Sequence, residues 1–229
     1  MKTTTTTLRH TSLVSAAALA AGLLAACGAL PERPQRATLY DFGAAPLATT
    51  AAAAAPAGAQ AQLPPMLLPH IEAPARLDGA QILYRLGYSD PNELRPYSLA
   101  RWSVPPTRLL EQRLREALAQ RRVVLGADEG TNIARVQGKV PNSLRLTLEE
   151  FSQNFESPGS SAGVVRVRAT LMNTTGAGDR VLGQRTFSAQ APAPTADAAG
   201  GVKALSAASD AVVAQVVQWA DQMQQSQPQ

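Results

Sequence analysis

The sequence predicts an α+β fold in which a mixed, mostly antiparallel sheet is covered on one face by two main helices. Two long segments in the second half of the chain alternate apolar and polar residues, which is typical of strands with one buried face. Two further segments, one before these strands and one after them, place apolar residues at helical spacing. This order of elements indicates a single domain.

The strongest strand patterns lie in the centre of the domain. Residues 144–149 alternate leucine with polar residues, and residues 165–171 alternate Val, Ala and Leu with Arg and Thr. Because successive side chains of a strand point to opposite faces, each pattern predicts a half-buried strand. Residues 173–179 contain two glycines and predict the turn of a hairpin that joins 163–172 to 181–189.

Shorter segments predict the remaining strands. They are rich in apolar, β-branched or aromatic residues and cover residues 38–42, 66–71, 80–85, 97–102 and 123–125. The sequence Ser-Asp-Pro-Asn at 89–92 predicts a turn.

Two helices are predicted from periodicity and end signals. The first follows the prolines at 105–106, with Thr107 as its N-cap. Its buried stripe consists of Leu110, Leu114, Ala117 and Leu118. Glu111 and Arg115 lie four residues apart, and we expect this ion pair on the solvent side. The second helix is predicted over 201–223.

The N-terminus has the pattern of an export signal. Lys2 and Arg9 precede a stretch of apolar and small residues, 13–26, that ends at Cys27. This stretch is shorter than the roughly 20 residues that span a bilayer. Residues 24–27 resemble the lipobox of bacterial lipoproteins, in which the cysteine receives acyl chains, palmitate among them, and the preceding residues are removed. Cys27 is therefore the predicted lipid-attachment site, and a soluble secreted protein is the alternative.

These features divide the chain into three parts. We predict a signal peptide over 1–26, a lipidated tether over 27–36 and a folded domain over 37–229. Within the domain, residues 43–65 are rich in Ala and Pro and predict a flexible loop. Gly28 follows the cysteine where aspartate usually retains a proteobacterial lipoprotein at the inner membrane, so this position resembles an outer-membrane address.

Composition excludes several functions. The formal net charge of +4 falls when the signal is removed, and no dense basic patch predicts nucleic-acid binding. His70 is the only histidine after the signal, which excludes a multi-histidine metal site within one chain. No nucleophile motif accompanies His70, so we expect a solvated or packed side chain. The sequence predicts no catalytic residue, no metal and no cofactor, hence no enzyme.

Several segments, taken in order, resemble the ABC-type transport auxiliary lipoproteins, a proteobacterial family linked to MCE-domain lipid transporters. Beyond the lipobox, these segments are residues 40–43, 77–85, 97–106, 144–155 and 163–171, followed by the closing helix. The resemblance spans nearly the whole mature chain, with the alanine-rich loop as a departure. None of the segments is a catalytic motif.

The resemblance implies an accessory lipoprotein anchored in the inner leaflet of the outer membrane and facing the periplasm. Its partner would be an MCE-domain protein and, through it, an ABC permease and ATPase that move phospholipid or other hydrophobic molecules between membranes. The chain itself has no ATP-binding phosphate loop. A homo-oligomer is plausible because such partners form symmetric rings. The sequence does not identify the transported molecule, the direction of transport or the number of subunits in such an oligomer.

Two other functions stay open. The chain could carry lipid in a cavity between its helices and its sheet. It could also be a regulatory or structural lipoprotein of the cell envelope, for example one that contacts a cell-wall synthase.

Tyr97, Arg101 and Trp102 are the candidate partner-binding residues. Tryptophan, tyrosine and arginine are enriched where proteins bind each other. The alternative is that Trp102 fills the core while Arg101 faces solvent. Trp219, on the last helix, is expected to pack in the core.

Overall fold

A computed structural model describes residues 35–43, 63–126, 140–175 and 178–226. Within these ranges the residues from Ala37 onwards belong to one compact unit. An eight-stranded mixed sheet is accompanied by two helices, which confirms the predicted α+β single domain. Among the described helices, none is both long enough and apolar enough to cross a bilayer.

The elements follow one another in the predicted order. The strands are β1 Thr38–Tyr40, β2 Met66–Leu67, β3 Gln81–Leu86, β4 Asp90–Trp102, β5 Val124–Leu125, β6 Asn142–Ser157, β7 Ser160–Thr175 and β8 Gly178–Pro192. The helices are α1 Pro106–Ala119 and α2 Ala198–Gln225, and a 3₁₀ turn covers Ala75–Leu77.

Strand β6 is the centre of the sheet because both of its edges are paired. Antiparallel β7 occupies one edge over almost the whole strand. The other edge is shared, since β2 pairs in parallel with Asn142 and Ser143 and β3 pairs in parallel with residues 153–155. Beyond β3 lie β4 and then β1, beyond β2 lies β5, and beyond β7 lies β8.

The buried faces of β6 and β7 follow the alternation read from the sequence. Both patterns place their apolar residues in the core: Leu144, Leu146, Leu148, Val165, Val167, Ala169 and Leu171. A register shift after Leu148 interrupts the alternation, so the sequence pattern ends before β6 does. The β7–β8 hairpin is confirmed, although pairing continues to Thr175 and Gly178 and leaves a shorter turn than 173–179.

The smaller strands agree less closely with the sequence. β1, β3 and β5 lie where strands are predicted, whereas β2 covers only Met66–Leu67 of the predicted 66–71. The turn occupies residues 87–89, so most of the predicted turn at 89–92 belongs to β4. Oδ1 of Asp90 still accepts a hydrogen bond from the backbone N–H two residues later, at 2.8 Å, as it would in a turn.

Two predictions for α1 are wrong. Pro105 occupies the N-cap position without any side-chain hydrogen bond, and Thr107 lies inside the first turn. Pro106 fits there because its ring holds φ near the helical value and its missing N–H would have no partner. Glu111 is only 8% exposed and is therefore not solvated. The chain segment that follows β2 runs along this side of the helix, and the N–H of Ile71 in that segment lies 3.4 Å from the Glu111 carboxylate.

Helix α2 begins slightly before the predicted start. Asp197 is its N-cap and accepts a hydrogen bond from the N–H of Gly200 at 2.7 Å. This bond lowers the pKa of the Asp197 carboxyl, and the Thr195 hydroxyl adds to the shift. The predicted apolar face is buried except at Met223, which is only partly buried, and its buried members are Val202, Leu205, Val212, Val213, Val216 and Ala220.

Glycines let α2 approach the sheet very closely. A Cβ atom added to Gly163 on β7 would lie 2.5 Å from the backbone N of Leu205 and 2.6 Å from the carbonyl carbon of Ala204. A Cβ on Gly201 of α2 would lie 2.0 Å from Oε1 of Gln153 on β6. The helix backbone therefore rests directly on the sheet near its N-terminal end.

An ion pair holds the other end of α2. Asp221 accepts hydrogen bonds from Arg121 and Arg122, which follow α1, and Arg122 also donates to Gln224. Arg122 and Asp221 are both buried. Burial lowers the pKa of Arg122, while the Asp221 carboxylate opposes this shift. Removing one member of such a pair would leave a buried charge without its partner.

We predict that Gly163→Ala destabilises the domain by about 1–3 kcal/mol, because the new methyl group meets rigid helix backbone. Chemical denaturation measures this change. Gly159→Ala, in the turn between β6 and β7, is the control, since a Cβ there meets nothing within 4 Å. Equal unfolding free energies for the two variants would contradict the close packing of α2.

Candidate functional site

The three candidate residues lie on β4, which is paired with β1 on one side and β3 on the other. Alternation along the strand separates them. Ala100 and Trp102 point into the core and are buried, while Leu99 and Arg101 are exposed on the outer face of the sheet. Tyr97, nearer the middle of β4, is half-buried.

Trp102 belongs to the core, as the structural alternative predicts. Its side chain is 1% exposed and packs against Phe42 and Phe151, with ring centroids 5.7 and 5.6 Å away. The indole N–H has no acceptor among the described residues. Trp102 therefore does not present its ring to a partner in this structure. Trp219 is also buried, as expected, and its ring lies 5.7 Å from that of Phe187.

Arg101 is accessible, and two exposed leucines, Leu39 and Leu99, lie on the same face of the sheet. The register partners of Arg101 are Leu39 on β1 and Gln81 on β3. Leu39 is 66% exposed and Leu99 is 48% exposed. Arg101 forms no ion pair with an acidic residue in the described ranges. We call Leu39, Leu99 and Arg101 the outer patch.

The hydroxyl of Tyr97 has an internal role. It donates a hydrogen bond to Oε1 of Gln153 at 2.8 Å, and Nε2 of this buried glutamine donates to Ser161 Oγ at 2.8 Å. The ring centroid lies 4.6 Å from that of Tyr84. Burial raises the pKa of the Tyr97 phenol, and the nearby Tyr84 and Asp197 add to the shift because each disfavours a second negative charge.

The structure contains a charged cluster around Glu111 that the sequence analysis does not predict. Nδ1 of His70 lies 3.2 Å from both carboxylate oxygens of Glu111 and 2.7 Å from Nη1 of Arg108. Arg108 and Arg115 contact the same carboxylate at 3.6 and 3.7 Å. The pairing of Glu111 with Arg115 is thus correct, but the residues of the β2–β3 connection that complete the cluster are distant in sequence.

This cluster has only part of a catalytic arrangement. A carboxylate that orients a histidine occurs in nucleophilic catalysis when the histidine also contacts a hydroxyl or a thiol. Within the described ranges, no hydrogen bond joins His70 to either group. Nor do these ranges contain a group of His, Cys, Asp and Glu residues that could hold a metal ion.

Two surface grooves flank α2. One, of about 410 Å³, lies between α1 and α2 and is lined by Ala117, Val217, Arg121 and Asp221 among others. The other, of about 340 Å³, lies between α2 and β8. The space between the helices and β6–β7 is occupied by buried apolar side chains. Cys27, the predicted lipid-attachment site, and most of the predicted loop 43–65 lie outside the described residues.

Residues 46–217, about three quarters of the chain, match the family model described as the ABC-type transport auxiliary lipoprotein component. The chain belongs to this family. It is a family of transport auxiliary lipoproteins of the cell envelope and not a class of enzymes. None of the curated proteins is similar enough in sequence to count as a match.

Solved structures share the fold. A crystal structure of a Xanthomonas campestris protein of the DUF330 family superposes with a TM-score of 0.60, at 22% identity, over 72% of this chain and 88% of that one. A second crystal structure, of an uncharacterized protein, has a TM-score of 0.56 at 14% identity and covers 81% of this chain and 99% of its own. These two likenesses concern the fold, and the match to the family model confirms the lipoprotein family identified by the sequence resemblance.

We predict that substitutions at two neighbouring positions of β4 differ strongly in their effect on the free energy of unfolding. Trp102→Ala leaves a large hole in the core and costs about 3–5 kcal/mol of unfolding free energy. Arg101→Ala, on the exposed face, changes it by less than about 0.5 kcal/mol. Denaturant titration of both variants tests the assignment, and a mild effect of Trp102→Ala would argue against the buried position.

We also predict that Tyr97 makes stability sensitive to alkaline pH. The folded chain holds the phenol proton more tightly than the unfolded chain, in which the pKa is near 10.0. As the pH rises above 10.0, the unfolded chain loses this proton before the folded chain does, so the free energy of unfolding falls. The free energy of unfolding, measured at neutral pH and above pH 10.0, should fall less in Tyr97→Phe than in the wild type. An equal fall would refute this role.

Proposed function

We propose that this chain is a periplasmic accessory lipoprotein of an MCE-type ABC transport system that moves phospholipid or other hydrophobic molecules between membranes. Membership of the transport auxiliary lipoprotein family is the observation that carries this proposal. Acyl chains on Cys27 would anchor the protein in the inner leaflet of the outer membrane. Two or more acyl chains give a stable anchor where a single chain does not.

The tether keeps the domain close to its membrane. Ten residues, 27–36, separate the lipidated position from the folded part, and a chain of this length spans at most about 35 Å. The domain would thus act near one membrane and reach the other only through partners. An ATPase and a permease in the partner complex would supply the energy and the pathway.

The domain itself would bind the partner protein and would not form the path along which lipid moves. The interior between the helices and the central strands is filled with side chains, and such packing leaves no room for a lipid to pass. The outer face of β4 offers Arg101, an exposed arginine beside exposed leucines, as a direct contact for the MCE-domain partner. Trp102 would support this strand from within, and the exposed part of the Tyr97 ring is a second candidate contact.

Lipid carriage is the second candidate function. The groove of about 410 Å³ between α1 and α2 is the observation in its favour, since apolar Ala117 and Val217 line it and small-molecule sites have volumes of this order. Native mass spectrometry of the purified chain tests it. Lipid that remains bound in the wild type and is lost in Ala117→Trp would support carriage, whereas lipid-free protein would count against it.

We predict that lipidated protein, solubilised from membranes, recovers an MCE-domain protein together with its permease and ATPase. Arg101→Glu should reduce this recovery at least about tenfold, which corresponds to about 1.4 kcal/mol, because it places a like charge against the carboxylate expected on the partner. Mass spectrometry of the recovered proteins provides the measurement.

Two controls accompany this experiment. Arg180→Glu reverses a charge that is also exposed but lies far from β4, on the edge strand β8, and should leave recovery unchanged. Cys27→Ala removes the acyl anchor and shows whether membrane attachment is required. Recovery of cell-wall synthases, or of no MCE-domain protein, would reject the proposed function.

A further inference from the structure

Strand β1 has a backbone edge that no other strand in the described part of the chain pairs with. In a parallel ladder, alternate residues direct both their N–H and their C=O groups to the same neighbouring strand. The carbonyl of Tyr40 accepts from the N–H of Ser103 at 2.7 Å, and Tyr40 is the register partner of Trp102. Tyr40, and Thr38 two residues before it, therefore bond to β4. The N–H and C=O of Leu39 point to the open edge, where no described residue bonds them.

β1 and β8 are two of the three outermost strands of the described sheet, β5 being the third, and they differ in how their free edges are protected. Proteins usually protect a free edge with charged residues or proline, which oppose pairing with another chain. β8 carries Asp179, Arg180, Arg185 and Pro192. β1 has the sequence Thr-Leu-Tyr and contains no charged residue and no proline. Its central residue, Leu39, is the most exposed of the large apolar side chains in the described ranges.

The outer patch adds a charge to this edge. Leu39 and Arg101 are register partners on adjacent strands, and Leu99 lies two residues along β4 on the same face. No carboxylate of the described chain pairs with Arg101. A complementary partner would present an apolar side chain over the leucines and a carboxylate to the guanidinium.

We propose that the MCE-domain partner docks by adding an extended segment to β1, with its apolar and acidic side chains on the outer patch. In this mode the backbone bonds of Leu39 hold the segment, and contacts with the patch select it. The identity of the partner rests on the proposed function, whereas the mode of binding rests on the geometry of β1.

Leu39→Pro tests the backbone bond directly. Proline removes the one N–H of β1 that faces the unpaired edge and leaves the bonds of Thr38 and Tyr40 to β4 in place. Edge strands tolerate proline at such a position. The variant should melt like the wild type and recover at least tenfold less MCE-domain protein from solubilised membranes. Leu39→Ala keeps the N–H and should lose less. Wild-type recovery by Leu39→Pro, or an equal loss in both variants, overturns the proposal.

A photo-crosslinking amino acid in place of Leu39 provides a second test that does not depend on proline. In cells it should form a light-dependent adduct with the MCE-domain protein, identified by mass spectrometry. The same amino acid in place of Val181, which is 56% exposed on β8, should form none. An adduct at position 39 with lipid alone or with a second copy of this chain, or no adduct, overturns strand addition.

The two proposals fail in different ways. If wild-type protein recovers the MCE-domain protein but position 39 does not crosslink to it, docking stands and strand addition fails. If neither experiment finds an MCE-domain protein, both fail.

Discussion

The architecture depends on the hydrogen bonding of β6 along both of its edges, because a buried strand cannot leave its backbone groups unpaired. One edge has a single partner, β7, but the other is covered piecewise by residues 66–86. After β2 leaves this edge, the backbone of Glu72 bonds to Leu146 and Leu148, and the Arg76 guanidinium donates to the carbonyl of Glu149 at 2.6 Å. β3 then completes the edge. This interrupted path joins the β1–β4–β3 part of the sheet to β6–β8.

Sequence patterns predicted those strands and helices that have a single buried face, because that face appears in the element's own periodicity. The alternation of β6 and β7 and the apolar stripe of α2 reflect one buried face each, so the sequence contains the whole signal. The path of residues 66–86 carries no such signal, because its pairing partner lies some 75 residues further along the chain. Glu111 is the same case at the level of a side chain. The sequence pattern assigns it to the polar face of α1, and only the chain segment that follows β2 and contains Ile71 explains its burial.

The candidate site was predictable only in outline. Composition selected Tyr97, Arg101 and Trp102, and alternation implied that Arg101 and Trp102 face opposite sides of β4. Which side is buried depends on Phe42 and Phe151, which come from distant parts of the chain. Leu39 was missed because a three-residue strand is too short to show a period. The family, by contrast, follows from the order of many weak segments and needs no single motif.

The order of the elements also governs when the fold can form. The chain emerges from a ribosome or a translocation channel with its N-terminus first, and α2 comes after every strand of the sheet. Until α2 has emerged, Val165, Val167 and Leu171 have no helix to cover them. An unfinished chain therefore presents an uncovered apolar sheet, the kind of surface that chaperones bind. Arrival of the last helix covers these side chains and converts the exposed sheet to the closed domain.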